Sequence, residues 1–399
     1  MSAAEIAAPP RLRWAPRNQV LPGLVVIAAL AGAGTGFLGI APNRLVSGTP
    51  VALWNAAGAW PPAALAVAGA ALFALGFAAP QRALHYLGAA VAGSVLAATL
   101  AIAGAAAATL AAGAPHAAAI SLGAGFWVIF ACAALATIDS LRRAEAAAPV
   151  QLLAAALAAF GFWAMANAGL FDALSLTREY ASRRETFAAA LLRHVELVVS
   201  AIVPALIIGV PLGLLALRRK RFEAPLFAVL NLLQTVPSIA LFGLLIAPLS
   251  SLADAVPVLG TLGVGGVGPA PAIIALVLYA LLPIARNTLA GIGGVSPSAI
   301  DAARGMGMTP RQILWRVEAP LAAPVLLAGL RIVTVQAIGL AVVAALIGAG
   351  GLGTFVFDGL GQYATSLVLL GSLPAIVLAL AADFLLRLAA NTLRGRVAP

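Results

Sequence analysis

The sequence runs to 399 residues, of which 63% are hydrophobic and only 9% charged, with a mean hydropathy of +1.06. That composition excludes a string of soluble domains and points to an all-α, polytopic membrane protein. The net charge of +10 is almost entirely arginine, with Lys220 the one lysine. Most of these bases fall in the links between apolar runs rather than on one soluble face, which argues against nucleic acid as a partner and leaves membrane lipid as the chain's surroundings.

A hydrocarbon core of roughly 30 Å needs about 20 helical residues. On that measure about ten spans follow in order, near 20–40, 63–79, 84–112, 117–138, 150–170, 195–217, 224–248, 270–290, 321–347 and 366–390. Arg11, Arg13 and Arg17 precede the first run, which is too long for the core of a cleaved leader and is read as a span. With the N-terminus inside, 17 basic residues fall on the inner side, Arg142, Arg143 and the cluster Arg218 to Arg221 among them. Five fall outside: Arg44, Arg178, Arg183, Arg184 and Arg193. This asymmetry places both termini in the cytoplasm. Single Cys132 lies in an apolar run and can form no internal disulfide.

Between the fifth and sixth spans the pattern changes. Tyr180, Phe187, Leu191 and Leu192 alternate with charges, as in an amphipathic helix lying on a membrane surface. The expected organisation is an accessory region of about five helices over 1–170, an interfacial linker helix over 171–194, and a second membrane domain over 195–399. The alanines and glycines of 63–135 suit close helix packing in lipid.

One polar interlude stands out between the eighth and ninth spans, over 296–320. Ser296-Pro297 reads as an N-cap with proline at the first helical position. Gly305 and Gly307 end that helix after about two turns. Thr309-Pro310-Arg311-Gln312 starts another with capping-box spacing, and Pro320 restarts the chain toward the membrane. Two short, separately capped helices follow, with a shelf of small residues (Ala302, Ala303, Gly305) and an apolar rim (Ile313, Leu314, Val317). That is a docking element for a soluble partner.

The run Asp301-Ala302-Ala303-Arg304-Gly305, with Met306-Gly307-Met308 and Ile313 to Pro320, resembles the coupling loop of ABC importer permeases, with Asp301 where that family usually carries Glu. Gln234 to Ser238 (QTVPS), Leu281 to Thr288 (LLPIARNT) and Ile347 to Gly353 (IGAGGLG) narrow the resemblance to the glycine betaine and osmoprotectant permeases, over roughly 190–390. The resemblance implies a type I ABC importer permease fold for the second domain. It implies coupling to an ATPase through Asp301, Ala302, Ala303, Gly305, Gly307, Met308 and Pro320. The partners it implies are two cytoplasmic ATP-binding subunits, a second permease subunit and an external solute-binding protein, in the inner membrane of a bacterium.

The sequence offers no chemistry of its own. It has no Walker A run, so ATP would be used by a partner and no cofactor bound by this chain. His85, His116 and His194 have no ligand spacing for a metal. Gly263 to Gly268 and Gly348 to Gly353 match G-x-G-x-x-G but lack the strand, helix and acidic residue of a dinucleotide site; tight glycine turns explain both. Glu196, Asp383 and Arg387 lie near span ends, where snorkelling to water is the ordinary outcome. Arg331 is about 15 Å deep and needs a partner or a wet cavity. Gln234, Thr235, Pro237 and Ser238 interrupt a span and are candidates for lining the pathway. No dense aromatic cluster occurs in the last five spans, as expected if an external protein selects the solute. Alternatives are a permease for another small solute such as an amino acid, or an ion-coupled secondary transporter, which would need paired midplane carboxylates.

Overall fold

The computed structural model describes residues 16–43, 46, 48–115, 117–261 and 263–397; Arg11, Arg13, Arg44 and His116 lie outside them. Two compact units divide at Ala181/Ser182. Among the described residues eight helices are long and apolar enough to cross a membrane, and two shorter apolar helices, Val20–Gly34 and Trp60–Leu75, complete ten in the expected order.

The first unit contains α1 (Val20–Gly34), α2 (Leu53–Ala57), α3 (Trp60–Leu75), α4 (Arg82–Ala112), α5 (Ala124–Arg143), α6 (Ala148–Asn167) and α7 (Ser175–Ser182). It also contains a small sheet that the helical reading did not foresee. Strands β1 (Leu38–Ala41), β2 (Thr49–Val51) and β3 (Ala119–Leu122) pair antiparallel in the order β2-β1-β3, with Leu38 opposite both Val51 and Leu122. The expected spans 20–40 and 117–138 each absorbed one of these strands. Glycines 32, 34 and 36 weaken the end of α1, and Thr35 is already extended at φ −129°, ψ 161°. Phe37 and Phe126 meet edge to face at 5.8 Å in the core beneath the sheet. Ser175 donates from its hydroxyl to the Ile120 carbonyl, and Arg178 from its guanidinium to that of Ala118, so α7 is tied to the β3 region.

The expected linker helix over 171–194 is not one element. Arg183, at φ −128°, ψ 24°, breaks the helical path after the eight residues of α7. From Arg184 a single helix, α8 (Arg184–Arg218), runs 35 residues through the whole sixth span. No proline or glycine interrupts it before Pro204, so nothing stops the interfacial turns from continuing into the apolar run.

The second unit continues with α9 (Lys220–Thr235), α10 (Ser238–Ala255), α11 (Pro257–Thr261), α12 (Pro269–Gly293), α13 (Pro297–Gly305), α14 (Pro310–Ile313), α15 (Ala319–Val343), α16 (Gly353–Gly361) and α17 (Thr365–Val397). The expected span 224–248 is two helices. Proline disfavours the α conformation in the residue before it, and Val236 sits extended at φ −69°, ψ 126° ahead of Pro237. At the centre α8, α12 and α15 pack closely on small residues. A Cβ on Gly213 would lie 2.6 Å from the Ala285 carbonyl oxygen, and one on Gly329 2.6 Å from Asn287 Cβ. The two glycine-rich segments meet: Gly268 donates its N–H to the Ile347 carbonyl at 2.8 Å. Glycines 348, 350 and 351 there all have positive φ.

Candidate functional site

The 296–320 segment is built by local capping. The Ser296 hydroxyl accepts from the Ala299 N–H at 3.3 Å. Thr309 and Gln312 form the full reciprocal box, with Thr309 N–H to Gln312 Oε1 at 2.8 Å and Gln312 N–H to Thr309 Oγ1 at 3.4 Å. At the end of α13 the Met308 N–H donates to Ala303 O and the Gly307 N–H to Arg304 O. With Gly307 at φ 77°, this is a Schellman turn. The left-handed position is therefore Gly307. Gly305 is the last helical residue, and a Cβ there would meet nothing within 4 Å in this chain.

The faces differ from the expected shelf and rim. Ala303 and Ile313 are buried within the chain, while Asp301, Ala302, Gly305, Gly307 and Pro320 are exposed and Met308, Leu314 and Val317 are half-buried. The large exposed apolar side chains are Met306 (69%) and Trp315 (73%). Trp315 was legible in principle: two residues along a helix is about 200° of rotation, so it faces away from buried Ile313. Asp301 reaches the Arg304 guanidinium at 3.0 Å, an exposed pair that adds little to stability.

The second short helix is not separate. Leu314–Glu318 is a π-helical turn, and the chain is continuously helical from Pro310 to Ile347. Pro320 has no N–H to give the carbonyl four residues before it, and the wider turn forms next to it. Within this turn Glu318 is buried, and its carboxylate lies 2.5 Å from Nη2 of Arg218 in the last turn of α8.

The interruption at 234–238 has a specific partner. Pro283 cannot donate to the Tyr279 carbonyl one turn before it in α12. Gln234 Nε2 donates to that carbonyl at 2.8 Å, and the Tyr279 hydroxyl donates to the Val236 carbonyl in the break between α9 and α10. The QTVPS run is thus clipped to Tyr279, one turn before Pro283 of the LLPIARNT run. Thr235 is exposed and returns its hydroxyl to Leu232 O; Pro237 is exposed and Ser238 half-buried. Nearby, Arg286 reaches Asn231 Oδ1 at 3.1 Å and lies over the Phe227 ring at 5.6 Å.

Arg331 is held by Asp383 of α17 at 2.7 Å, and Arg387 pairs with the other carboxylate oxygen. Asp383 and Arg387 are therefore a paired network rather than independent snorkels. Glu196 pairs with Arg193 at 2.7 Å.

A family model for the binding-protein-dependent transport system inner membrane component matches residues 205–395. The choline transport system permease protein OpuBB of Bacillus subtilis (strain 168) is 38% identical over 200 residues, covering 50% of this chain and 85% of the relative. The chain belongs to this permease family. The carnitine transport permease protein OpuCB of Listeria monocytogenes is 42% identical over 194 residues, covering 49% of the permease described here and 82% of the relative. The osmoprotectant import permease protein OsmW of Salmonella typhimurium (strain LT2) is 42% identical over 199 residues, 50% of this chain and 87% of its own. The permease's first unit has a counterpart too: residues 16–177 match the N-terminal domain of the ABC transporter permease YehY. As a membrane permease it is a transport component rather than an enzyme, and its many apolar helices suit a bacterial inner membrane.

Proposed function

We propose that this chain carries glycine betaine or a related quaternary ammonium or zwitterionic osmoprotectant inward as the membrane subunit of an ABC importer. It works in a pair of permease subunits, with two cytoplasmic ATP-binding subunits and an external solute-binding protein. The observation that carries this reading is the identity of 38–42% to permeases named for choline, carnitine and osmoprotectants, each covered over more than four fifths of its length. The chemistry of the second unit supports it. A quaternary solute has a permanent charge and few hydrogen-bond donors, so its path needs no strong counter-ion. Arg331 is held by Asp383, which it shares with Arg387, so its guanidinium is engaged within the chain.

In this reading the chain binds no cofactor and ATP is used by the partner. The 296–320 segment docks on the ATP-binding subunit through Asp301, Ala302, Gly305, Gly307, Met308 and Pro320, with Met306 and Trp315 as apolar contacts. Ala303 shapes the helix from inside. Both termini are cytoplasmic, as the 17-to-5 division of basic residues supports. Gln234, Thr235, Pro237 and Ser238 line the solute path, and residues 1–170 are accessory to transport.

The test is uptake of labelled glycine betaine, choline and carnitine into vesicles holding this chain with its ATPase and binding protein. Uptake of an amino acid in place of all three would move the assignment to another solute class.

A further inference from the structure

The end of α8 is fixed to both legs of the 296–320 segment. On the α12 side the contact is steric: a Cβ on Gly213 would lie 2.6 Å from Thr288 Cβ, and one on Gly293 3.1 Å from Leu217 Cδ1. On the α15 side it is ionic, Arg218 to Glu318 at 2.5 Å. The Glu318 side chain is only 4% exposed, so its carboxylate depends on this guanidinium, which is itself 52% exposed. Arg218 also lies where a helix C-terminus favours a cation. Among the described residues no other cation is bonded to Glu318.

The position matters more than the pair. Glu318 closes the π turn, where the helical register changes and the ladder between α14 and α15 departs from the α pattern. A push on α13 and α14 could be absorbed there by bending. Anchoring the turn to α8 removes that freedom. We propose that the Arg218–Glu318 pair is the joint through which movement of the docking helices reaches α8, making both residues positioning residues for coupling solute transport to ATP hydrolysis. The proposal rests on the ABC-importer reading above. Neither residue lies in the run Asp301 to Met308, and they are 100 positions apart in sequence.

The experiment uses the full chain assembled with its ATPase and binding protein in lipid nanodiscs, and reads the ratio of solute-stimulated to unstimulated ATP hydrolysis. Arg218→Gln and Glu318→Gln should each lower that ratio by about fivefold or more, while copurifying with the ATPase in wild-type amount. Arg218→Lys, which keeps the charge, should recover at least half of it. A purely structural pair would instead lower thermal stability in both Gln variants and leave the ratio within twofold of wild type, which overturns the proposal. So does failure of both Gln variants to insert or assemble, since the pair would then be needed for folding. Absence of solute stimulation in the wild-type complex would overturn the importer reading itself, and this proposal with it.

Discussion

The clip between Gln234 and Tyr279 yields a quantitative expectation. Pro283 leaves the Tyr279 carbonyl without its helical donor, and the Gln234 amide supplies one at 2.8 Å. Gln234→Leu removes that bond. Interhelical hydrogen bonds in membranes are worth about 0.6 kcal/mol on average and up to about 1.7, and an orphaned buried carbonyl adds to the loss. The expected cost is about 1.5 kcal/mol. With Pro283→Ala in place, the new Ala N–H can bond the Tyr279 carbonyl, so adding Gln234→Leu should then cost less than about 0.5 kcal/mol. The coupling energy is the difference, about 1 kcal/mol. Four purified chains, unfolded in mixed micelles of rising dodecyl sulfate content and followed by far-ultraviolet circular dichroism, close the cycle. Effects that add within about 0.3 kcal/mol would refute the clip. If Gln234→Leu left unfolding unchanged and altered only uptake, the side chain would belong to the solute path and not to the clip.

Other expectations follow from single contacts. Asp383→Asn strips Arg331 and Arg387 of their shared carboxylate; the same unfolding assay should show a loss of about 2 kcal/mol, below the ~3–5 of a fully buried pair because all three side chains are partly exposed. Gly305→Val should leave unfolding within about 0.5 kcal/mol of wild type, yet weaken ATPase copurification, because its side chain would meet only a partner. Gly307→Val forces a β-branched residue into a left-handed turn and should cost about 1–2 kcal/mol in the isolated chain. In a Cys132→Ala background, Glu145→Cys and Thr309→Cys should label from the inner side and Thr49→Cys from the outer; outer labelling at 309 would reject the topology.

What could be read in the sequence was local. The number and order of apolar helices follow from length and hydropathy. The cap at Ser296 and the box at Thr309 follow from three-residue spacings, and both are present. The strands were hidden because Leu38–Ala41 and Ala119–Leu122 carry no alternating pattern and merge into apolar runs. The expected linker runs into α8 because charge at Arg184, Glu185 and Arg193 does not mark a helix boundary. Ile313 is inside and Trp315 outside because helical phase, and not apolar character alone, decides which face a residue takes. The pairs that organise the second unit, Arg218 with Glu318 and Gln234 with Tyr279, join residues 100 and 45 positions apart, and no local signal in one chain links them.

The unbroken helical stretch from Pro310 to Ile347 has a mechanical consequence. Its 38 residues make a rod about 57 Å long at about 1.5 Å per residue. Pivoting such a rod by about 5° at its middle carries each tip through about 2.5 Å, in opposite directions. One tip is the segment proposed to meet the ATPase. The other bears the Ile347 carbonyl, bonded to the Gly268 N–H at 2.8 Å. A displacement of that size exceeds the slack of a hydrogen bond, so the far glycine contact would open or shut in step with the near tip, as the two arms of a seesaw do.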